Sequence, residues 1–265
     1  MPPVAAGAEA LETDQSEETL TVDAWNDRWT QVLGRVVDHR TGGVDYGRLR
    51  ADRGTLAELR AELAGDRDFA TERHRLAFLI NAYNVLVLAA VLDEPQLPAT
   101  VRDVRGFFDG ERHQLLGKGR TLDEIRDKLI RPLGEPFAHF AFTNGAASSP
   151  PLLHVAYTAE ELDAQLAYQV GRFLSDPVRN TAIGSTLMLS PIFRWFSDDF
   201  EAAASDGTLT GFLRQHAPTA TAVGRGLARE DDPAITFLEF NWALHYVPVP
   251  DRPTEDAETG DESED

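Results

Sequence analysis

The sequence predicts a mainly helical α+β fold: one domain over residues 20–250, in which a small antiparallel sheet surrounds a buried central helix at 76–92. Three observations lead there. The stretch "LAFLINAYNVLVLAAVL", residues 76–92, is apolar nearly all round, broken only by Asn81, Asn84 and the hydroxyl of Tyr83. A helix of that kind sits inside a core rather than on a surface. Short strand-like runs lie scattered between helical segments and do not alternate with them regularly, which argues against a doubly wound sheet. The chain has 265 residues, 42% of them hydrophobic, enough for one large domain.

Taken in order, residues 20–39 place Trp25, Trp29, Val32, Leu33 and Val36 at helical spacing, with Asp23 as a plausible N-cap. A loop and a second helix, from about Arg53 to Ala64, follow. Residues 70–92 make the third helix. In "FFDGERHQLLGKGRTLDEIRDKLI" two glycine-containing turns flank a short strand. Thr121 and Glu124 then form a capping box for a helix over 122–130. The segment beginning at His139 reads as a strand with Phe140 and Phe142 on one face and His139, Ala141 and Thr143 on the other. "TAEELDAQLAYQVGRFLSD" is an amphipathic helix with a second capping box, Thr158 with Glu161. "TLMLSPIFRWFSDDFEAA" reads as strand, turn and helix, and "AITFLEFNWALHYVPV" as a strand pair or extended segment. No repeat of solenoid period is present.

Charge narrows the function classes. Forty-four acidic residues face 25 basic ones, for a net charge of -19, and only Lys118 and Lys128 are lysines. Such a surface repels nucleic acid and anionic membranes. Abundant acid with almost no lysine is the expectation for a protein adapted to molar salt. Residues 1–19 and 251–265 hold -12 of the charge and read as disordered acidic tails. The N-terminus has no basic residue and no apolar run of signal type, and no apolar run spans a membrane, so a cytoplasmic protein without membrane insertion is expected. The absence of cysteine removes disulfides, zinc–thiolate sites and thiol nucleophiles together. No phosphate-binding glycine loop and no HExxH spacing occurs, so neither a cofactor nor a metal is expected. Asp198 and Asp199 are adjacent acids that point in different directions on a helix, a poor metal pair. Arg194 and Asp198 stand at i and i+4, the spacing of a helical ion pair.

Four stretches, "AFLINAYNVLVLAAVL", "HFAFTNGAASSPPL", "LSPIFRWFSDDF" and "FLEFNWALHYVP", resemble in order and spacing the signature blocks of the domain of unknown function 547 family. The resemblance runs from about residue 44 to 248 and brings no settled activity with it. In that family the second block typically reads like "HFALNCGAKSCPPL"; here the two cysteine positions are Asn144 and Ser149. A Glu-His pair usual in the family aligns with Arg126 and Asp127. If the family uses a thiol and a histidine base, this chain lacks the thiol and has changed residues where the base would stand.

The bend "TNGAASSPP" carries the sharpest question. Asn144-Gly145 is a strong turn dipeptide, and Ser-Pro is common in turns. One reading makes Ser149 a nucleophile assisted by a histidine, His139 or His245, with turn amides as an oxyanion hole. The preferred reading makes the bend structural, with Ser149 satisfying backbone groups. Asn81 and Asn84 share one helix face and need partners when buried, since an unpaired amide costs about 1–3 kcal/mol. The expectation is therefore a binding or scaffold protein with a polar cleft formed by segments 81–84 and 139–152. That cleft contains Asn81, Asn84, Asn144, Ser148 and His245, and takes an unidentified small molecule or peptide. A hydrolase or acyl-transfer enzyme using Ser149 and His139 or His245 is the alternative.

Overall fold

A computed structural model describes residues 22–247. The acidic tails expected at 1–19 and 251–265 lie outside the described residues. The chain runs α1 (Val22–Val36), α2 (Tyr46–Ala51), α3 (Arg53–Glu62), α4 (Glu72–Asp93), β1 (His113–Leu115), β2 (Lys118–Arg120), α5 (Leu122–Ile125), α6 (Leu162–Ser175), β3 (Thr181–Ile183), β4 (Thr186–Leu189), α7 (Ile192–Trp195), α8 (Ser197–Ala203), α9 (Leu209–His216), α10 (Ala222–Leu227) and β5 (Ile235–Phe237). This is the mixed α+β fold expected. The sheets are smaller and less uniform than anticipated. β1 and β2 form an antiparallel hairpin, and β3 pairs antiparallel with β4, but β4 and β5 run parallel.

Helix α4 is the axis of the first of two apolar clusters. Thr71 caps it by accepting from the His74 N–H, and every side chain from Leu76 to Val91 is buried. Among the described residues it is the one helix long and apolar enough to cross a membrane, and 89% of its apolar window is packed inside the protein. Trp25 and Trp29 of α1, Leu56 and Leu59 of α3, Leu115 of β1 and Ile125 of α5 surround it. The second cluster gathers Phe173 of α6, Leu187 and Leu189 of β4, Phe193 of α7, Phe200 of α8 and Phe212 of α9. The bend joins the two: Phe140 packs into the second cluster, Ala141 and Phe142 into the first.

Four local expectations need correction. The stretch before the bend is a 3₁₀ helix over Pro136–Phe140, not a strand. Pro136 fixes a helical φ at its start, and the Glu135 carboxylate accepts from the Phe137 N–H at 2.9 Å. Residues 46–51, expected as loop, are helical because Asp45 caps the Arg48 N–H at 2.9 Å. The capping box of Thr158 and Glu161 is only half formed: Thr158 accepts from the Glu161 N–H, but the Thr158 N–H donates to Gln165, and α6 starts later, at Leu162. The Arg194–Asp198 pair does not form among the described residues. The helix breaks at Phe196, which cancels the i,i+4 geometry, and Arg194 instead lies over the Phe237 ring.

Candidate functional site

The bend is held from three sides. From α4, Asn84 pairs with it as a peptide would: its Nδ2 donates to Ala141 O at 3.1 Å, and its Oδ1 accepts from the Thr143 N–H at 2.9 Å. From α6, Gln169 donates to the carbonyls of Phe140 and Pro151. Arg179 donates to the carbonyls of Ser149 and Ala147 at 2.9 and 2.7 Å. Gly145 turns the chain with φ of 75°, where an added Cβ would stand 3.0 Å from Val101. A side chain there would be strained and crowded at once.

Within this frame Ser149 is wholly buried, and its Oγ accepts from the N–H groups of Asn144 and Ala146, both at 3.1 Å. Ser148 Oγ accepts from the Asn241 N–H at 2.9 Å. That contact begins a zipper. Residues 241–245 bond to the bend through Ala147 N–H to Ala243 O and His245 N–H to Gly145 O, and to residues 99–101 through Val101 N–H to Trp242 O and Leu244 N–H to Ala99 O. The C-terminal segment thus lies between two loops and carries Trp242 to the mouth of a cleft.

That cleft encloses about 520 Å³, a size that suits a small organic ligand. His139, Phe142, Asn144 and Pro150 line it from the bend, Arg102 and Phe108 from the loop after α4, and Trp195 and Phe196 from α7 and its end. Arg126, Asp127 and Arg131 reach it from a widened helical turn over 126–130, which continues α5. Wide turns of this kind are frequent at functional sites.

Histidine 139 is 3% exposed. Its Nε2 lies 2.7 Å from Asp199 Oδ2, and its ring stacks on Phe196 with centroids 4.0 Å apart. Arg131 grips the same carboxylate with two N–H donors, at 2.7 and 2.9 Å. Burial holds the His139 pKa far below its usual value, at about 4, outweighing the pull of Asp199 in the other direction. The ring is therefore neutral at pH 7, with Nε2–H donating to Asp199. Its Nδ1 is buried with no hydrogen-bond partner among the described residues. The Asp199 carboxyl is held below the ordinary carboxylate range, first by its hydrogen bonds from Arg131.

Of the residues singled out in the sequence, the structure brings His139 and Asn144 into the cleft. Asn84, Ser148 and Ser149 stand behind its wall, engaged with backbone. Asn81 lies farther along α4, donating to Asn26 and Tyr157 O and accepting from the Tyr157 N–H. His245 does not line the cleft; its backbone joins the segment at Val44, and burial lowers its pKa to about 4. Neither His139 nor His245 hydrogen-bonds to Ser149 among the described residues. Sequence reasoning missed Arg102, Arg131, Trp195 and Trp242. Arg126 and Asp127 were noticed only as departures from a family pattern. In the sequence Asp199 stands out only as half of a poor metal pair, and nothing local marks it as the partner of His139. No cluster of three or more metal-type ligands occurs among the described residues.

Residues 68–174 match the family model described as "Protein of unknown function, DUF547". No curated protein and no solved structure matches the chain.

Proposed function

With residues 68–174 carrying the DUF547 family domain, we propose that this protein is a small-molecule-binding domain whose cleft does no covalent chemistry. One observation carries the reading. The three positions that depart from the family pattern and face the cleft, Asn144, Arg126 and Asp127, offer an amide and a closed ion pair there. Arg126 is spent on Asp123 and Asp127, at 2.7 Å each. The remaining departure, Ser149, is turned inward onto two backbone N–H groups. An acyl-transfer mechanism needs a hydroxyl free to attack beside a base, and this one already accepts two hydrogen bonds out of reach of solvent.

Two measurements test the proposal. Fragments screened against ¹⁵N-labelled protein are expected to shift amide signals around Asn144, Phe196 and Trp242. A fluorophosphonate probe is expected to leave the protein unlabelled; a probe adduct mapped to Ser149 by mass spectrometry would overturn the reading in favour of the hydrolase alternative.

We also propose a setting of high salt, on the strength of the charge alone. The full chain carries -19, of which the domain between residues 20 and 250 holds -7, and with two lysines in all its like charges repel in dilute buffer. The Debye length shrinks from about 10 Å at 0.1 M to about 3 Å at 1 M salt. The melting temperature of the full chain is expected to climb between about 0.1 and 2 M KCl. Chloride is the fair test, because sulfate strengthens apolar burial whatever the charge. A flat melting temperature across that range would remove the halophile proposal.

A further inference from the structure

The cleft shows a mismatch that identifies a ligand class. Its three guanidinium groups are not equivalent. Arg126 is held by Asp123 and Asp127, and Arg131 by Asp199. Arg102 has no ion pair and no side-chain hydrogen bond among the described residues, in a chain where acids outnumber bases 44 to 25. Its guanidinium rests instead on the Trp242 ring, whose centroid lies 4.2 Å from the guanidinium carbon. Resting on an indole holds a guanidinium in place while leaving its N–H donors unused.

The surface beside it is aromatic. Trp195 and Trp242 lie nearly parallel, 25° apart with centroids at 5.9 Å, and Phe240 braces both at 4.9 and 4.4 Å. Trp195 is 40% exposed, so part of its ring is open to a ligand. Opposite, Asn144 Oδ1 accepts from the Tyr83 hydroxyl at 3.4 Å, and its Nδ2 has no partner among the described residues. The cleft therefore presents a partly exposed indole, Trp195, backed by Trp242, with one unmatched cation and one unmatched amide donor.

We infer that the ligand is an aromatic monocarboxylate, its ring on Trp195 beside Trp242 and its carboxylate on Arg102; this rests on the small-molecule reading above. A planar fork of N–H donors matches a carboxylate in two parallel bonds. A single negative charge fits better than two. The other guanidiniums are already neutralised: Arg126 and Arg131 face Asp123, Asp127 and Asp199, a balance of -1, so a phosphate dianion meets one free cation in a cleft with no net positive charge to spare.

The test is isothermal titration of the full chain with 2-naphthoate, its neutral isostere 2-naphthamide, and 2-naphthyl phosphate. Naphthoate is expected to bind about tenfold or more tighter than naphthamide, as a charge-assisted contact implies. Arg102→Gln is expected to erase that preference while naphthamide binding holds. Arg102 is exposed, so this variant should fold, and its melting curve checks that. Trp242→Ala is expected to weaken both ligands. Equal binding of naphthoate and naphthamide, or a preference that survives Arg102→Gln, overturns the assignment of the charge. Tighter binding of the phosphate overturns the monoanion. Absence of binding by all three overturns the ligand class, while fragment shifts around the cleft would still uphold the binding reading itself.

Discussion

Lowering the pH from 7 to 5 is expected to cost the fold about 2 kcal/mol for each of His113 and His139. Both are buried, at 1% and 3% exposure, and burial brings both pKa values down to about 4. The unfolded chain titrates these side chains near 6.5. Below that pH the unfolded state binds more protons than the fold, so stability falls as pH falls. The loss begins near 6.5 and is complete near 4, where the folded ring also protonates. The environment of His113 makes it the cleaner probe. Neither ring nitrogen has a hydrogen-bond partner, and Glu111 Oε1 stands 3.9 Å away, beyond hydrogen-bond reach. Arg60 lowers its pKa further, and Asp93 opposes with a smaller effect. Some carboxylates act in the opposite sense. Glu111, Asp123 and Glu135 are raised by burial and so protonate earlier in the fold than in the unfolded chain. The decisive comparison is therefore between the wild type and His113→Phe, by urea unfolding at pH 7 and pH 5. The variant should lose about 2 kcal/mol less than the wild type over that interval. Equal losses would show that His113 does not titrate between the two states.

The parts of this fold that were legible in the sequence are those set by local pattern. Helix α4 announces itself because sixteen consecutive side chains, Leu76–Val91, all face protein, so an apolar run with no polar face and burial on every side agree. The capping box of Thr121 and Glu124 was equally readable, because both of its bonds are made within four residues. What failed was decided by contacts across the chain or by a break in the helix. Asp199 finds Arg131 and His139 at separations of 68 and 60 residues, while the nearer i,i+4 pairing of its neighbour is undone at Phe196. Trp242 reaches the cleft only because segment 241–245 zips between residues 99–101 and 145–148, and an extended run of mixed residues does not disclose its partners. The polar residues Asn81 and Asn84 were legible as structural ties, since a buried amide must bond to something. Asn84 ties the 139–150 turn that lies against it, at Ala141 and Thr143, whereas Asn81 ties Tyr157 beyond that turn, which depends on where the chain crosses the helix.

Replacing Ser149 with alanine is expected to destabilise the protein by about 2–5 kcal/mol, through the fold rather than through any reaction. The hydroxyl is the sole side-chain partner of the Asn144 and Ala146 N–H groups, and Ser149 has no exposed surface. Removing the acceptor strands two donors, the Ala146 N–H fully buried and the Asn144 N–H half-buried, at about 1–3 kcal/mol each. The damage should then spread. The Ser149 and Ala147 carbonyls are anchored by Arg179, and the neighbouring Ser148 Oγ holds the Asn241 N–H. A loosened bend would release the 241–245 zipper and with it the Trp242 side of the cleft. Ser149→Thr keeps the acceptor but adds a methyl group to a filled site, so its cost should reflect crowding and leave the turn bonded. Amide hydrogen exchange distinguishes the two. In Ser149→Ala, protection should drop first at Asn144, Ala146 and Asn241; in Ser149→Thr, those amides should stay protected. A serine whose role was chemical would behave differently: its alanine variant would melt like the wild type, with all three amides as protected as before. That outcome would return Ser149 to the list of reactive groups and reopen the bend as a catalytic element.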